Sequence, residues 1–238
     1  MIVRHLFAPP RCEACETTIG ESPGLCEDCQ NSLKPLNPSH CQICAVPFGS
    51  EGLSAHPCSE CILNPPSFQK VWAGYHYEGA VIPLIHRIKF GKQVDGLKIL
   101  SQRLAEKFHE ACLEFQPDLV IPVPLSWWRQ FLRGFNQSYL LLRYLQKNSG
   151  QKVPIHWGLH RRHTRAQAKK DRVSRLRSLK RVFRISPSPA IQSRKILLVD
   201  DVLTTGATAE ALAAGLRKAG AHDVGVFVLA RVEKKKSL

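Results

Sequence analysis

The chain has 238 residues, 44% of them hydrophobic, and carries 34 Lys and Arg against 19 Asp and Glu, for a formal charge of +15. That length can bury the core of one medium domain with a small module beside it, whereas no run approaches the roughly 18 apolar residues of a membrane span. The opening MIVRHLFAPPRC has no apolar stretch of the export-signal kind, so a cytoplasmic protein is expected, and the positive excess favours phosphate-bearing or otherwise anionic partners.

Charge and cysteine both divide the chain into residues 1–66 and 67–238. The first part holds eight of the nine cysteines and only three basic residues against seven acidic ones. Its cysteines form four C-x-x-C knuckles, Cys12/Cys15, Cys26/Cys29, Cys41/Cys44 and Cys58/Cys61, with ten, eleven and thirteen residues between successive pairs. In a chain without an export signal that spacing reads as metal ligation rather than disulfides. Two knuckles complete a tetrahedral Cys₄ shell with no open position, so two structural Zn²⁺ ions are expected. The segment is rich in Pro and Gly and poor in apolar periodicity, and zinc binding would supply the folding energy that its core lacks. The spacing is compatible with consecutive pairing of the knuckles and with cross-bracing. His40 and His56 lie beside knuckles and are expected at the surface or behind the ligands, and the lone Cys112 reads as a small buried apolar residue.

From residue 67 apolar strands alternate with amphipathic helices. Val71 to Tyr77 reads as a strand, Gly79 to Phe90 and Leu97 to Phe115 as helices, and DLVIPVP at 118–124 as a short strand stopped by its prolines. A loop with Trp127, Trp128, Arg129 and Arg133 leads to a helix through Leu140, Leu141, Tyr144 and Leu145. Val153 to His156 is a candidate strand. KILLVDD at 195–201 is a continuous apolar run, as in a parallel strand covered on both faces. A helix with Leu212, Leu216 and Ala219 on its buried side follows, with Gly220 to end it, and then a last strand from Val224 to Ala230. The alternation predicts an α/β domain with a mostly parallel sheet and flanking helices, preceded by a small N-terminal zinc-ribbon module.

Ligands on such sheets bind beyond the carboxyl ends of the strands. Asp200 and Asp201 are expected there, at the end of their strand, able to accept hydrogen bonds from a vicinal diol or to approach a hydrated divalent metal. The residues that follow, Val202, Leu203, Thr204, Thr205, Gly206, Ala207 and Thr208, form a loop of N–H groups and hydroxyls that opens a helix, a natural phosphate cradle. A diol reader beside a phosphate cradle fits a ribose 5-phosphate. The Walker pattern G-x-x-x-x-G-K-[ST] and the dinucleotide fingerprint G-x-G-x-x-G are both absent from the sequence.

LLVDDVLTTGAT, residues 197–208, resembles the phosphoribosyl pyrophosphate (PRPP) motif of type I phosphoribosyltransferases. IPVPLSWWRQFLRGFNQS, IHRIKF at 85–90 and R-x-x-T-x-x-Q at Arg161, Thr164 and Gln167 resemble the corresponding stretches of the ComF family, in which a double zinc ribbon precedes such a domain. The resemblance implies a type I phosphoribosyltransferase-like fold and PRPP bound with Mg²⁺. By it, Asp200 and Asp201 hold the ribose hydroxyls and the Thr204–Thr208 loop wraps the 5-phosphate. Lys89, Arg129, Arg133, Arg161 and Arg165 are the pyrophosphate and lid candidates. Where 6-oxopurine enzymes of this fold carry an Asp at the first loop position, this chain has Thr204, which argues against hypoxanthine or guanine as acceptor. Ser178 stands where the family commonly has Asn.

Between Arg161 and Arg184 eleven basic residues are opposed only by Asp171. As a lid this segment would neutralise departing pyrophosphate, and as a binding surface it would track the phosphates of single-stranded DNA. The ComF family is associated with natural competence. The resemblance therefore also implies single-stranded DNA handling in the cytoplasm beside the inner-membrane uptake machinery. A DNA-uptake helicase or another competence protein is then the natural partner for the acidic ribbon module.

Overall fold

The structure, a computed structural model, describes residues 9–20, 24–48, 56–91, 93–125, 134–157, 159–161, 183–185 and 187–233. The N-terminal part contains two short helices, α1 (Glu27–Asn31) and α2 (Ser59–Leu63). There follow β1 (Lys70–His76), α3 (Val81–His86) with a π-helical turn at Arg87–Gly91, α4 (Asp95–Arg103), α5 (Ala105–Phe115), β2 (Leu119–Pro122) and α6 (Gln137–Ser149). The chain is completed by β3 (His160–Arg161), β4 (Phe183–Arg184), β5 (Lys195–Leu203), α7 (Ala207–Lys218) and β6 (Asp223–Arg231). Among the described residues no helix is long and apolar enough to cross a membrane.

One four-stranded sheet runs in the order β1-β6-β5-β2, with every neighbouring pair parallel. Its two central strands are the two apolar runs, because a strand covered on both faces cannot alternate with polar residues. Leu197, Val199, Phe227 and Leu229 face α3, α4, α5 and α6, where they meet Leu84, Leu97, Phe108 and Leu141. Ile196, Leu198, Val226 and Val228 face the other way, onto Leu212, Ala213 and Leu216 of α7. Gly220, at φ 100°, lets the chain leave α7 in the left-handed conformation expected of a helix stop.

Three expected elements differ. The segment 97–115 is two helices, because the chain bends at Leu104 (φ −98°, ψ 4°). Gly74 of β1 is where that leucine packs, and a Cβ there would lie 2.4 Å from Leu104 Cδ2. Val153 to His156 contributes one isolated bridge, Ile155 to Val120, rather than a strand. The acidic pair does not end its strand: β5 continues through Leu203, with Asp200 opposite Val228 and Leu203 opposite Arg231.

Among the described residues both outer strands of the sheet bond to other parts of the chain, β2 through Val120 to Pro154 and His156 and β1 through the N-terminal part. Along β1, the Val71 and His76 N–H groups donate to the Ile43 and Lys34 carbonyls at 2.8 and 2.9 Å, and Leu36 N–H donates to Gly74 at 2.9 Å. The segment from Lys34 to Ile43 therefore edges the sheet, and Cys12, Ala14, Leu25 and Leu33 join the same core as α3 to α6. On the α7 face, β3 and β4 pair antiparallel, His160 with Arg184 and Arg161 with Phe183. Ile185 packs on Gly215 of α7. The two ends of the basic segment are thus brought together as a stem beside the helix that carries the candidate phosphate loop. The residues between them, 162–182, lie outside the described residues.

Candidate functional site

The eight knuckle cysteines gather in consecutive pairs. Cys12, Cys15, Cys26 and Cys29 form one cluster and Cys41, Cys44, Cys58 and Cys61 another, with all sulfurs of a cluster within 4.8 Å of one another. A zinc–sulfur bond of about 2.3 Å in a tetrahedron places neighbouring sulfurs about 3.8 Å apart. Cys15 and Cys26 are separated by 3.6 Å and Cys44 and Cys58 by 3.8 Å, so the donor sets fit zinc and are far from disulfide length.

Local backbone geometry repeats in the two clusters. After Cys15 and Cys44 the chain turns through left-handed residues, Glu16 (φ 65°) and Ala45 (φ 53°), whose N–H groups return to the Cys12 and Cys41 carbonyls at 2.9 Å. Backbone N–H groups also aim at sulfur. Cys12 Sγ accepts from Cys26 at 3.3 Å, and Cys41 Sγ accepts from Cys58, Ile43 and Cys44 at 3.2, 3.4 and 3.4 Å. Burial raises the Cys41 thiol, but those donors outweigh it and pull it down to about 7, toward the thiolate a metal requires. Neither histidine belongs to a cluster. His40 Nδ1 lies 2.6 Å from the Asn37 carbonyl, and His56 stacks on Phe48 with ring centroids 4.4 Å apart. Cys112 is 5% exposed, and burial pushes its thiol up to about 11, as suits a packing residue.

The acidic pair sits where β5 passes the first turn of α6. Successive strand residues point to opposite faces, so two adjacent carboxylates cannot share one environment. Asp201 is 7% exposed; its Oδ2 accepts from Gln137 Nε2 at 3.0 Å and pairs with Lys89 Nζ at 2.9 Å, and its Oδ1 accepts from Val202 N at 2.7 Å. Asp200 Oδ1 accepts from Ser138 Oγ and from the Asp201 N–H, each at 2.9 Å. Among the described residues no ion pair is formed by Asp200. Burial, reinforced by the adjacent Asp201 charge, pushes its carboxyl up to about 7, against the pull of the Asp201 N–H, Ser138 and the more distant Lys89. A carboxyl poised near neutrality at the carboxyl end of a parallel sheet is of the kind found at functional sites.

Gln137 and Ser138 were not among the residues expected from sequence to form the site. Asn136 places them. Its Oδ1 accepts from Ser138 N at 2.9 Å and Tyr139 N at 3.3 Å, capping α6, while its Nδ2 holds the Val123 carbonyl at 3.2 Å. The available signal was the Asn before an apolar helical pattern, followed at once by an amide and a hydroxyl. Lys89 is delivered by the π turn, a distortion that recurs at functional positions.

Beyond the acids, Val202 and Leu203 complete β5, and Thr204, Thr205 and Gly206 connect it to α7, whose first turn contains Ala207 and Thr208. Gly206 takes φ 80°, which an L side chain rarely adopts, and Thr205 Oγ1 accepts from Ala207 N at 3.3 Å. Thr204 and Thr205 are exposed. The first N–H groups of a helix have no partners within it, so this end can receive an anion. Arg231 is a further residue missed from sequence: its guanidinium lies buried under the loop and is held by the Leu203, Thr204, Val232 and Cys44 carbonyls. Arg129, Arg133 and Arg165 lie outside the described residues. For Arg161 only the backbone, paired in β3, is described.

Comparison with known proteins agrees with this arrangement. Residues 3–62 match the double zinc ribbon domain and residues 134–238 the phosphoribosyl transferase domain. Competence protein F of Haemophilus influenzae is 34% identical over 218 residues, covering 87% of this chain and 90% of that protein. The chain belongs to the ComF family. The DNA utilization protein YhgH of Escherichia coli strain K12 is 32% identical over 235 residues, with 95% and 99% of the two chains covered. Competence protein ComFC of Bacillus subtilis is 28% identical over 217 residues, with coverage of 87% and 84%. The phosphoribosyltransferase-like architecture expected from the PRPP-like motif is thus shown, together with the N-terminal double zinc ribbon.

Proposed function

We propose that this ComF protein binds PRPP with Mg²⁺ at the carboxyl end of β5 and acts on it as a phosphoribosyltransferase. The observation that supports this reading most strongly is the sequence of environments along one stretch of backbone. Two adjacent carboxylates lie on β5, one paired with Lys89 and one pushed up to about 7, and the loop that opens α7 begins three residues after the second. Asp200 and Asp201 accept the ribose hydroxyls, and the N–H and hydroxyl groups from Thr204 to Thr208 hold the 5-phosphate. A Mg²⁺ ion bound with PRPP would neutralise charge on the pyrophosphate and ribose oxygens.

Lys89 neutralises Asp201 while the site is empty, and it can turn to the pyrophosphate when ribose takes its place. Asn136, Gln137 and Ser138 keep the carboxylates aimed. The family resemblance adds Arg129, Arg133, Arg161 and Arg165 as donors to the leaving group. Such a site works by positioning and charge stabilisation. Thr204 at the first loop position directs attention away from hypoxanthine and guanine as acceptors. The test is pyrophosphate release from PRPP with a panel of bases and with single-stranded DNA, comparing wild type with Asp200→Asn and Asp201→Asn. Mg²⁺-dependent release that both substitutions abolish supports the reading. Binding without release on any acceptor leaves a PRPP sensor, and no binding at all defeats both.

A second reading, single-stranded DNA binding, is favoured by the β3–β4 stem, which gathers the ends of the basic segment beside the site. The names of the relatives point the same way. In this reading the acidic ribbon module meets a competence protein such as a helicase. Neutralising Arg172, Arg175 and Arg177 should then weaken single-stranded DNA binding and flatten its salt dependence. Affinity that is unchanged, or insensitive to salt, would dismiss the basic segment as a phosphate tracker.

A further inference from the structure

Arg231 closes β6 and is 1% exposed, one of the largest fully buried side chains of the protein. Its Nε donates to the Cys44 carbonyl at 2.9 Å. Its Nη1 donates to Leu203 at 2.8 Å and Val232 at 2.9 Å, and also contacts the Thr204 carbonyl. One rigid fork thus joins the second cysteine cluster to the first residues of the candidate phosphate loop. A buried cation ordinarily has a carboxylate partner. The described ion pairs of the protein do not include Arg231. Its donors are met instead by four backbone carbonyls, one of them on Cys44 of the second cluster. Four thiolates around a Zn²⁺ ion would leave about two negative charges on that centre, so a metal-loaded ribbon would place its charge on the same residue whose carbonyl accepts from the guanidinium.

The first ribbon is built differently. It reaches the larger domain through Cys12, Ala14, Leu25 and Leu33 in the core and through Glu16, paired with Arg87 of the π turn at 2.8 Å. Its further described bonds, Ala80 N–H to Ser32 Oγ at 3.1 Å and Arg103 to Gln30 at 3.0 Å, reach the start of α3 and the end of α4 and not Thr204.

We propose that Arg231 is a positioning residue that fixes the start of the Thr204–Thr208 loop against the second ribbon, so that metal loading of that ribbon, and not of the first, sets the order of the loop. The ligand of the loop rests on the PRPP reading above, whereas the strut does not. Fixing Cys44 Sγ on the metal fixes the carbonyl of the same residue, the carbonyl fixes the guanidinium, and the guanidinium holds Leu203 and Thr204.

The experiment uses the full chain and three variants, Arg231→Lys, Cys61→Ser and Cys29→Ser. It measures bound zinc, hydrogen exchange in peptides covering 203–208, and Mg²⁺-dependent PRPP affinity. Arg231→Lys keeps the charge but not the fork. It should retain both zinc ions while exchange at 203–208 accelerates about tenfold or more and PRPP affinity falls about tenfold. Cys61→Ser should lose one zinc and show the same acceleration, and adding Arg231→Lys to it should add nothing further. Cys29→Ser should lose one zinc and leave exchange at 203–208 unchanged. Wild-type exchange in Arg231→Lys, or equal acceleration from Cys29→Ser, overturns the proposal. Should Arg231→Lys fail to fold, the contrast between the two cysteine variants decides. A wild-type protein that binds no PRPP overturns the ligand assignment, and the exchange data still judge the strut.

Discussion

The protonation of Asp200 makes PRPP binding pH-dependent in a defined direction. Burial and the Asp201 charge hold its carboxyl near 7 instead of 3.8. If the ribose hydroxyls require the carboxylate, bound PRPP must displace a proton. Apparent affinity then scales with the ionised fraction and should drop about fivefold from pH 7 to pH 6 and about tenfold from pH 8 to pH 6. Calorimetry in buffers of different ionisation enthalpy should register close to one proton released per PRPP at pH 6 and almost none at pH 8. Because the PRPP phosphates themselves titrate near pH 6, the decisive arm is Asp201→Asn, followed by carboxyl carbon NMR of the ligand-free protein. Removing the adjacent charge should lower the Asp200 midpoint by about one unit or more. Stability of the ligand-free chain runs the opposite way to affinity: a carboxyl raised by folding contributes most below its unfolded value and loses that contribution as pH rises through 7. The ligand-free chain should therefore be more stable at pH 6 than at pH 8 by at most about 1.4 kcal/mol from this group. Affinity that is flat from pH 6 to pH 8, or a midpoint that stays in place in Asp201→Asn, would refute the reasoning.

Lys89→Met leaves the Asp201 carboxylate, 10% exposed in its side chain, without its cation. Denaturant unfolding should show a loss of about 2 kcal/mol, and the Asp200 midpoint should rise. Removing either zinc by Cys26→Ser or Cys58→Ser should halve the metal content found by metal analysis and lower the thermal midpoint, because these ions stand in for a core. Phe108 is fully buried and meets the Phe227 ring edge-on with centroids 5.1 Å apart, so Phe108→Ala should cost about 3–5 kcal/mol in unfolding while both zinc ions are retained.

What could be read from sequence was local in its physics. Cysteine spacing decides which sulfurs can share an ion, and the consecutive clusters resolve only the choice between pairing schemes. KILLVDD announces a strand covered on both faces because no amphipathic element could tolerate that run, and Thr204 to Gly206 form a loop because Thr-Thr-Gly suits neither strand nor helix interior. The bend at Leu104 was hidden for the complementary reason. No Gly or Pro interrupts LKILSQRLAEKF, and what bends the chain is the space above Gly74 on a strand thirty residues earlier in sequence.

The site shows the same division. Asp200 and Asp201 are visible as a pair, but what differentiates them is contributed from elsewhere: Ser138 and Gln137 across 62 and 64 residues, and Lys89 from the π turn. An arginine ending an apolar strand looks like the first polar residue after a core segment. Arg231 is instead buried, because its acceptors arrive from positions 187 and 28 residues away. Those acceptors are backbone carbonyls, whose side chains say nothing of the contact, so no residue type in the sequence could have indicated them. A charged group satisfied by backbone alone is specified by the fold rather than by its partners' identities. For this reason the connection between ribbon and loop is tested by changing Arg231 or the metal, not by substituting Leu203 or Thr204.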